Sequence, residues 1–290
     1  MSNDITNQAF TDDSKSKEWI DLYGHQYAEV LFEQQPTKAF QRHIREMHAE
    51  ADPRPQIESL DSAVVEQIDN DEAAALIRKI EWLGTMAPST IASYGLKLNG
   101  ELLGVECFGT GGSPEARVIC LPDPNNELRD KTICLLRGGC VHFSPRKAPS
   151  YLIRRSCKLA YQEFGWQIFT AYGDPQAGEL GQLYKLAGFQ YIGQNIGRNS
   201  ERGHESWLSP TGETASTHSY RQTAISLGWT EEMGRLGITK AEFLRNIGWQ
   251  EKDIAPKHKF VRFEGPAEER QRLREMCQYE PLPFPQRVNS

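Results

Sequence analysis

Residues Thr132–Gly193 read TICLLRGGCVHFSPRKAPSYLIRRSCKLAYQEFGWQIFTAYGDPQAGELGQLYKLAGFQYIG, a stretch that falls into strand, loop, helix, strand, loop, helix, strand. Thr132 to Phe143 is apolar and β-prone, with Gly138 and Gly139 in its middle. An internal glycine pair in a strand marks a bulge or a close approach of backbone. Such a bulge either curves the sheet or frees an N–H for a ligand. Pro145 and Pro149 end the strand, and Ser150 then stands before Tyr151, Leu152, Ile153, Cys157, Leu159 and Ala160, whose recurrence is helical to about Phe164. Trp166 to Tyr172 reads as a second strand, Asp174-Pro175 as a turn, Gly178 to Ala187 as a helix stopped by Gly188, and Phe189 to Ile192 as a third strand.

Upstream, Ala63 to Ile68 reads as a strand and Asp71 to Trp82 as a helix closed by Gly84. Ser93 to Leu98 and Leu102 to Gly109 are strands joined at Asn99-Gly100, a strong hairpin signal. Thr110 to Arg129 is rich in glycine and proline and reads as a long loop over the sheet. Residues 1–17 are polar and read as a disordered tail, and 18–61 as a helical extension that ends in a proline-rich linker. In that extension His43 and His48 do not share a helix face and read as surface residues. Downstream of residue 200 come a hairpin around Pro210-Thr211-Gly212, helices at Ser219–Leu227 and Thr239–Ile247, a last strand at Phe260–Phe263 and a charged helix at Ala267–Cys277. The organisation expected is thus a core over 62–200 and a C-terminal extension over 201–290.

The 290 residues suffice for one large domain with an extension. With 38% hydrophobic and 25% charged residues the composition is that of a soluble globular protein, and neither a membrane span nor a signal peptide is recognisable, so the cytoplasm is the expected location. The six cysteines form no C-x-x-C pair, which argues for buried thiols and against a zinc site. A net charge of −6 argues against a protein that coats nucleic acid but leaves room for a local basic groove. Arg146, Lys147, Arg154, Arg155 and Lys158 make one basic cluster, and Lys257, Lys259 and Arg262 a second.

The run Leu183-Tyr184-Lys185-Leu186-Ala187-Gly188-Phe189 resembles the LY-x-x-x-GF signature of the GNAT N-acyltransferase superfamily. The longer run from Thr170 to Gly193 resembles its Mom-type branch, phage proteins that add a small acyl-derived group to DNA bases. Ile80–Met86, Lys257–Val261 and Leu282–Pro285 agree with that branch, so the resemblance covers about Ser62 to Arg287. It implies an α/β (mixed α+β) fold with a central sheet flanked by helices, an acyl donor, and DNA as acceptor in the cytoplasm of a phage host. It also assigns roles. Tyr184 is similar to the general acid that protonates the leaving thiolate; Asp174 and Glu81 are the accompanying catalytic candidates. The strand at Gly139, Cys140 and Val141 would bind the donor carbonyl. Trp82 would stack on an extruded base, with Tyr172, Lys257 and Lys259 beside the acceptor.

One departure from the superfamily concerns the donor. The usual glycine-rich pyrophosphate loop is replaced by Arg146-Lys147-Ala148-Pro149-Ser150-Tyr151, in which Arg146, Lys147, Ser150 and Tyr151 are the remaining phosphate-binding candidates. Acetyl-coenzyme A or another acyl-coenzyme A is the expected donor, with aminoacyl-tRNA as an alternative. No metal-ligand spacing is apparent, and a metal-dependent variant with His142, Asp174 and Glu81 converging is an alternative. An acetyltransferase of small amines or proteins, and a non-catalytic nucleic-acid-binding module, are the competing readings, and both a monomer and a homodimer fit the sequence.

Overall fold

A computed structural model describes residues 39–111, 114–175, 177–194, 204–211, 214–216, 220–254 and 256–286. The expected tail over 1–17, and the extension up to residue 38, lie outside the described residues. The chain divides into two compact units. One comprises 38–173, 179–194 and 258–290; the other comprises 1–37, 174–178 and 195–257.

In the larger unit the elements follow as α1 (Phe40–Ala51), β1 (Val64–Ile68), α2 (Asn70–Ile80), β2 (Thr90–Leu98), β3 (Glu101–Gly109), a short α3 (Glu127–Asp130), β4 (Thr132–Cys140), α4 (Ala148–Phe164), β5 (Ile168–Gly173), α5 (Gln182–Leu186) and β6 (Gln190–Gln194). From β1 to β6 this is the strand and helix order that the acyltransferase resemblance implies. The β2–β3 turn places Asn99 at φ 51° and Gly100 at φ 85°, the two left-handed residues that a tight hairpin requires. Gly165, at φ 71°, ends α4. Inside the long loop Pro114–Arg117 forms one 3-10 turn.

Seven strands form one sheet in the order β1-β2-β3-β4-β5-β10-β6, where β10 is His258–Phe263. Every pairing is antiparallel except β4 with β5. β10, from the C-terminal stretch after residue 200, is thus one strand of this sheet. Phe260 and Val261 are apolar on both sides of β10 and fully buried, as a strand inside a two-sided sheet must be.

Alternation along β5 divides the core. Phe169 and Ala171 pack with Leu152, Ile153, Cys157 and Ala160 of α4, while Ile168 joins Val261, Phe263 and Leu273, the last from helix α9 (Ala267–Met276). Ala73 and Ile77 of α2 cover Val105 and Cys107.

α1 is fastened by polar contacts as well as by Phe40 and Ile44. Arg45 donates to the carbonyls of His142 (2.8 Å) and Ser144 (2.5 Å), and His48, 8% exposed, has a ring nitrogen 2.7 Å from the Lys79 carbonyl. Its ring lies parallel to that of His142, centroids 6.1 Å apart. His48 is thus a docking residue and not the surface residue expected; tertiary contact with α2 and the end of β4 decides its burial, which helix periodicity alone does not reveal.

The second unit holds the sheet β8-β7-β9, with β7 His204–Leu208, β8 Thr214–Ser216 and β9 Gln250–Ile254, together with α6 (Tyr220–Ser226), α7 (Glu231–Arg235) and α8 (Lys240–Asn246). The expected hairpin is the β7–β8 pair, and Thr239 caps α8 by accepting from the Glu242 N–H at 3.2 Å. Trp207, Ala224, Leu244 and Trp249 form its core.

The helix α5 has only five residues, shorter than the Gly178–Ala187 helix expected, so its position depends on its anchors. Gly181 precedes it at φ 74°, where an added Cβ would stand 2.2 Å from the Phe260 ring. Arg262 donates to the Ala187 carbonyl at the other end. Gly181→Ala combines left-handed strain with a clash in the core, and we expect it to lower unfolding free energy by roughly 1–3 kcal/mol. Chemical denaturation followed by fluorescence measures this; an unchanged midpoint would mean that the turn is not under this constraint.

Candidate active site

The parallel pair β4–β5 is short. Thr132, Ile133 and Cys134 face Ile168, Phe169 and Thr170, and there the ladder stops. Beyond it β5 continues against β10, whereas β4 continues to Cys140 with β3 as its partner on one side only. A row of β4 backbone groups is left without a strand opposite it, and such groups are strong hydrogen-bonding sites.

The direction of each N–H follows from the β3–β4 ladder. Val141 donates to the Leu103 carbonyl at 2.8 Å. Alternation then turns the Gly139 N–H toward β3 as well, and the Gly138 and Cys140 N–H groups toward the open side. Of Gly139, Cys140 and Val141, only Cys140 turns its N–H to the open side; the Gly139 and Val141 N–H groups face β3. The bulge also lies elsewhere. The register shifts between Arg137, opposite Cys107, and Leu135, opposite Phe108, so the extra residue is Leu136; the glycine pair keeps regular register. Gly138 is glycine for a different reason, since a Cβ there would come 2.4 Å from Oε2 of Glu106.

Glu106 is 4% exposed, in a strand of apolar neighbours. Burial first, and then the nearby Glu81 charge, push its carboxyl well above the usual range. Glu81, just past α2, is half-buried. Its carboxyl rises to about 7, first through burial; Arg137 opposes the rise, Glu179 adds to it, and the N–H groups of Leu83 and Gly84 oppose it. A carboxyl balanced near neutrality can either take or give a proton.

Tyr184 projects from α5 with its ring 5.0 Å from Phe260 and 5.5 Å from Phe189. Its hydroxyl donates to the Tyr172 carbonyl on β5 at 3.4 Å, a long and easily exchanged bond. Burial raises this phenol first, and the Glu179, Glu106 and Glu81 charges act in the same direction. The hydroxyl is accordingly a proton donor throughout the physiological range.

Trp82 is held at three points. Its indole N–H donates to Glu179 at 2.9 Å, its backbone N–H to Gln41 at 3.1 Å, and its ring lies 5.9 Å from Phe40. Gln41 in turn donates to the Ile80 carbonyl at 2.6 Å. Sequence reading missed Glu106, Glu179 and Gln41. A lone charge inside the apolar run Leu102–Phe108 was the available signal for Glu106; nothing local marks the other two.

The remaining expected residues are distributed as follows. Arg146 and Lys147 are exposed just before α4, and the Ser150 hydroxyl donates back to the Lys147 carbonyl at 3.1 Å, with Tyr151 half-buried beyond it. Tyr172 and Lys259 face each other across β5 and β10. Among the described residues the buried Tyr172 hydroxyl has no hydrogen-bond partner, and Lys259, 4% exposed with its ammonium 4.6 Å above the Tyr279 ring, is lowered by burial. Asp174 and Lys257 belong to the second unit, where they lie 3.8 Å apart as an ion pair. Among the described residues no group of three or more His, Cys, Asp or Glu is arranged to hold a metal ion, and no helix is long and apolar enough to cross a membrane.

Residues 62–259 match the profile of the Mom protein family. The chain belongs to the Mom family. Solved structures similar to this Mom-family chain include an IAA acetyltransferase from Bacillus cereus (13% identity, 70% of this chain and 100% of that one, TM-score 0.35). Others are an aminoglycoside acetyltransferase in complex with coenzyme A and kanamycin (13%, 56% and 99%, 0.34) and a spermidine N-acetyltransferase from Vibrio cholerae (8%, 47% and 85%, 0.33). No curated protein sequence is significantly similar to the chain.

The raised Glu81 carboxyl makes a prediction about stability. Between its ordinary value of 4.5 and its folded value of about 7 the native state holds more protons than the unfolded state. The contribution of Glu81 to stability is therefore best below the lower value and worsens as pH rises through the higher one. Glu81→Gln removes this dependence, so its stability relative to the wild type should rise between about pH 4 and about pH 8. Denaturant melts of both proteins across that range test it; a difference independent of pH would show that Glu81 titrates as an ordinary surface carboxyl.

Proposed function

We propose that the chain is an N-acyltransferase that transfers an acyl group from an acyl-coenzyme A thioester to a nitrogen of a nucleobase in DNA, or to an amine already carried by such a base. The observation that carries this reading is the unpaired edge of β4 beside Tyr184. An extended ligand with amide groups can pair with such an edge as a strand does, and the pantetheine part of coenzyme A has that form. The donor supplies an activated acyl group on a good leaving thiolate.

The residues then divide the work. The Gly138 and Cys140 N–H groups polarise the acyl carbonyl and stabilise the negative charge that develops on its oxygen. Glu81, whose carboxyl is raised to about 7, receives the proton of the attacking nitrogen. Tyr184 gives its proton to the departing sulfur. Arg146 and Lys147 supply the cationic side chains that meet the donor phosphates, in place of the glycine N–H groups that the loop lacks.

DNA as acceptor rests on membership of the Mom family, and Trp82 gives it a physical counterpart. An indole fixed by Glu179, Gln41 and Phe40 is a preorganised surface for stacking a base taken out of the duplex.

Mass spectrometry of nucleosides from DNA of cells with and without the protein should reveal one nucleoside of new mass. Tyr184→Phe should reduce its formation roughly 10²–10⁴-fold with the melting temperature unchanged, because one hydroxyl and almost no volume is lost. Unmodified nucleosides with acylation of a small amine or a protein would overturn the acceptor; full activity of the Phe variant would remove Tyr184 from the mechanism.

A further inference from the structure

Two of the six cysteines face each other across strands that are far apart in sequence. Cys120 and Cys277 form an isolated antiparallel bridge. The bonds around it run from the Leu121 N–H to the Met276 carbonyl at 2.8 Å and from the Gln278 N–H to the Ile119 carbonyl at 2.9 Å. Bonds from the flanking residues define a non-hydrogen-bonded pair, in which opposed Cα atoms stand about 4.5 Å apart and side chains are closest. A disulfide tolerates Cα separations of about 4.4–6.8 Å, so this pair needs little movement to close.

The two thiols differ in environment. Cys120 is 2% exposed, with its sulfur 3.3 Å from the Leu273 carbonyl oxygen. Cys277 is half-buried, and among the described residues the other four cysteines are all buried. Its thiol is lowered, first by the hydrogen bond from Cys120, with burial opposing, and then by the Tyr279 N–H and the Lys259 ammonium. An accessible thiolate beside a cation, with a second thiol at hand, is the arrangement of an oxidisable cysteine and its resolving partner.

We propose that Cys120 and Cys277 are a peroxide-oxidisable pair whose disulfide staples the C-terminal segment from Cys277 onward to residues Ile119–Leu121. The Cys277 thiolate attacks one oxygen of hydrogen peroxide, the O–O bond breaks, and the released hydroxide takes up a proton to leave as water. The Cys120 sulfur then attacks the Cys277 sulfenic acid; the S–O bond breaks, and the hydroxide released combines with the Cys120 proton as a second water. Two thiols and one peroxide thus give one disulfide and two waters.

The segment so fastened packs over the sheet beside α5. Leu282 donates to the Tyr191 carbonyl at 2.8 Å, and the Phe284 ring stacks on Phe260 at 5.6 Å. Phe260 is the ring against which Tyr184 rests, so the staple tightens the cover over the support of that tyrosine.

The native protein, treated with one equivalent of hydrogen peroxide and alkylated, should yield a tryptic peptide pair joined through Cys120 and Cys277. The Leu282 amide should exchange more slowly in the oxidised form. Cys120→Ser, with Cys120→Ala as a second variant should the first unfold, should instead accumulate a sulfenic acid that dimedone traps on Cys277. A linked pair through any other cysteine, dimedone on another cysteine, or six alkylatable thiols remaining in the treated native protein would each overturn the proposal.

Discussion

A parallel strand pair that separates after three residues is the constraint on which this structure depends. β5 takes β10 as its second neighbour and turns away with it, so β4 runs on from Cys134 with a partner on one flank. Sheets rarely leave such an edge in their middle, because unpaired amides invite association. Here it is internal to the order of seven strands, which protects it from other chains. Much of the local sequence is fitted to that edge. Gly138 gives room to the Glu106 carboxyl, Leu136 takes up the bulge, and α5 is placed by Gly181, Arg262 and the Phe260 ring so that Tyr184 reaches β5.

The charges nearby form a graded set. Glu106 is the most buried and is pushed well above the usual carboxylate range; Glu81 is poised about neutrality because Arg137 and two N–H groups offset part of its burial; the Tyr184 phenol is raised by burial. Environment thus separates two carboxyls of the same type. That separation is what general acid and base chemistry at neutral pH needs.

Sequence periodicity revealed the elements better than their assembly. The order from Val64 to Gln194 was legible because each strand is bounded by turn residues such as Asn99-Gly100 and Gly188, and α4 by Pro149 and Gly165. That β10 inserts between β5 and β6 was not, since a six-residue strand carries no mark of its neighbours. His48 was misjudged for a related reason: only the docking of α1 makes it a buried residue. At the site, Tyr184, Glu81 and Trp82 were accessible through motifs. Which N–H groups face the open edge was not, because ladder parity is fixed by the Val141 to Leu103 bond and not by residue type.

The central claim is that the open flank of β4 receives the acyl donor through Gly138 and Cys140. Amide resonances of the isotopically labelled protein, followed during titration with acetyl-coenzyme A, address it directly. The account predicts large shifts and slowed hydrogen exchange at the Gly138 and Cys140 amides, with the Gly139 and Val141 amides, already paired with β3, changing little. Perturbation confined to other strands, or equal along all four residues, would contradict it.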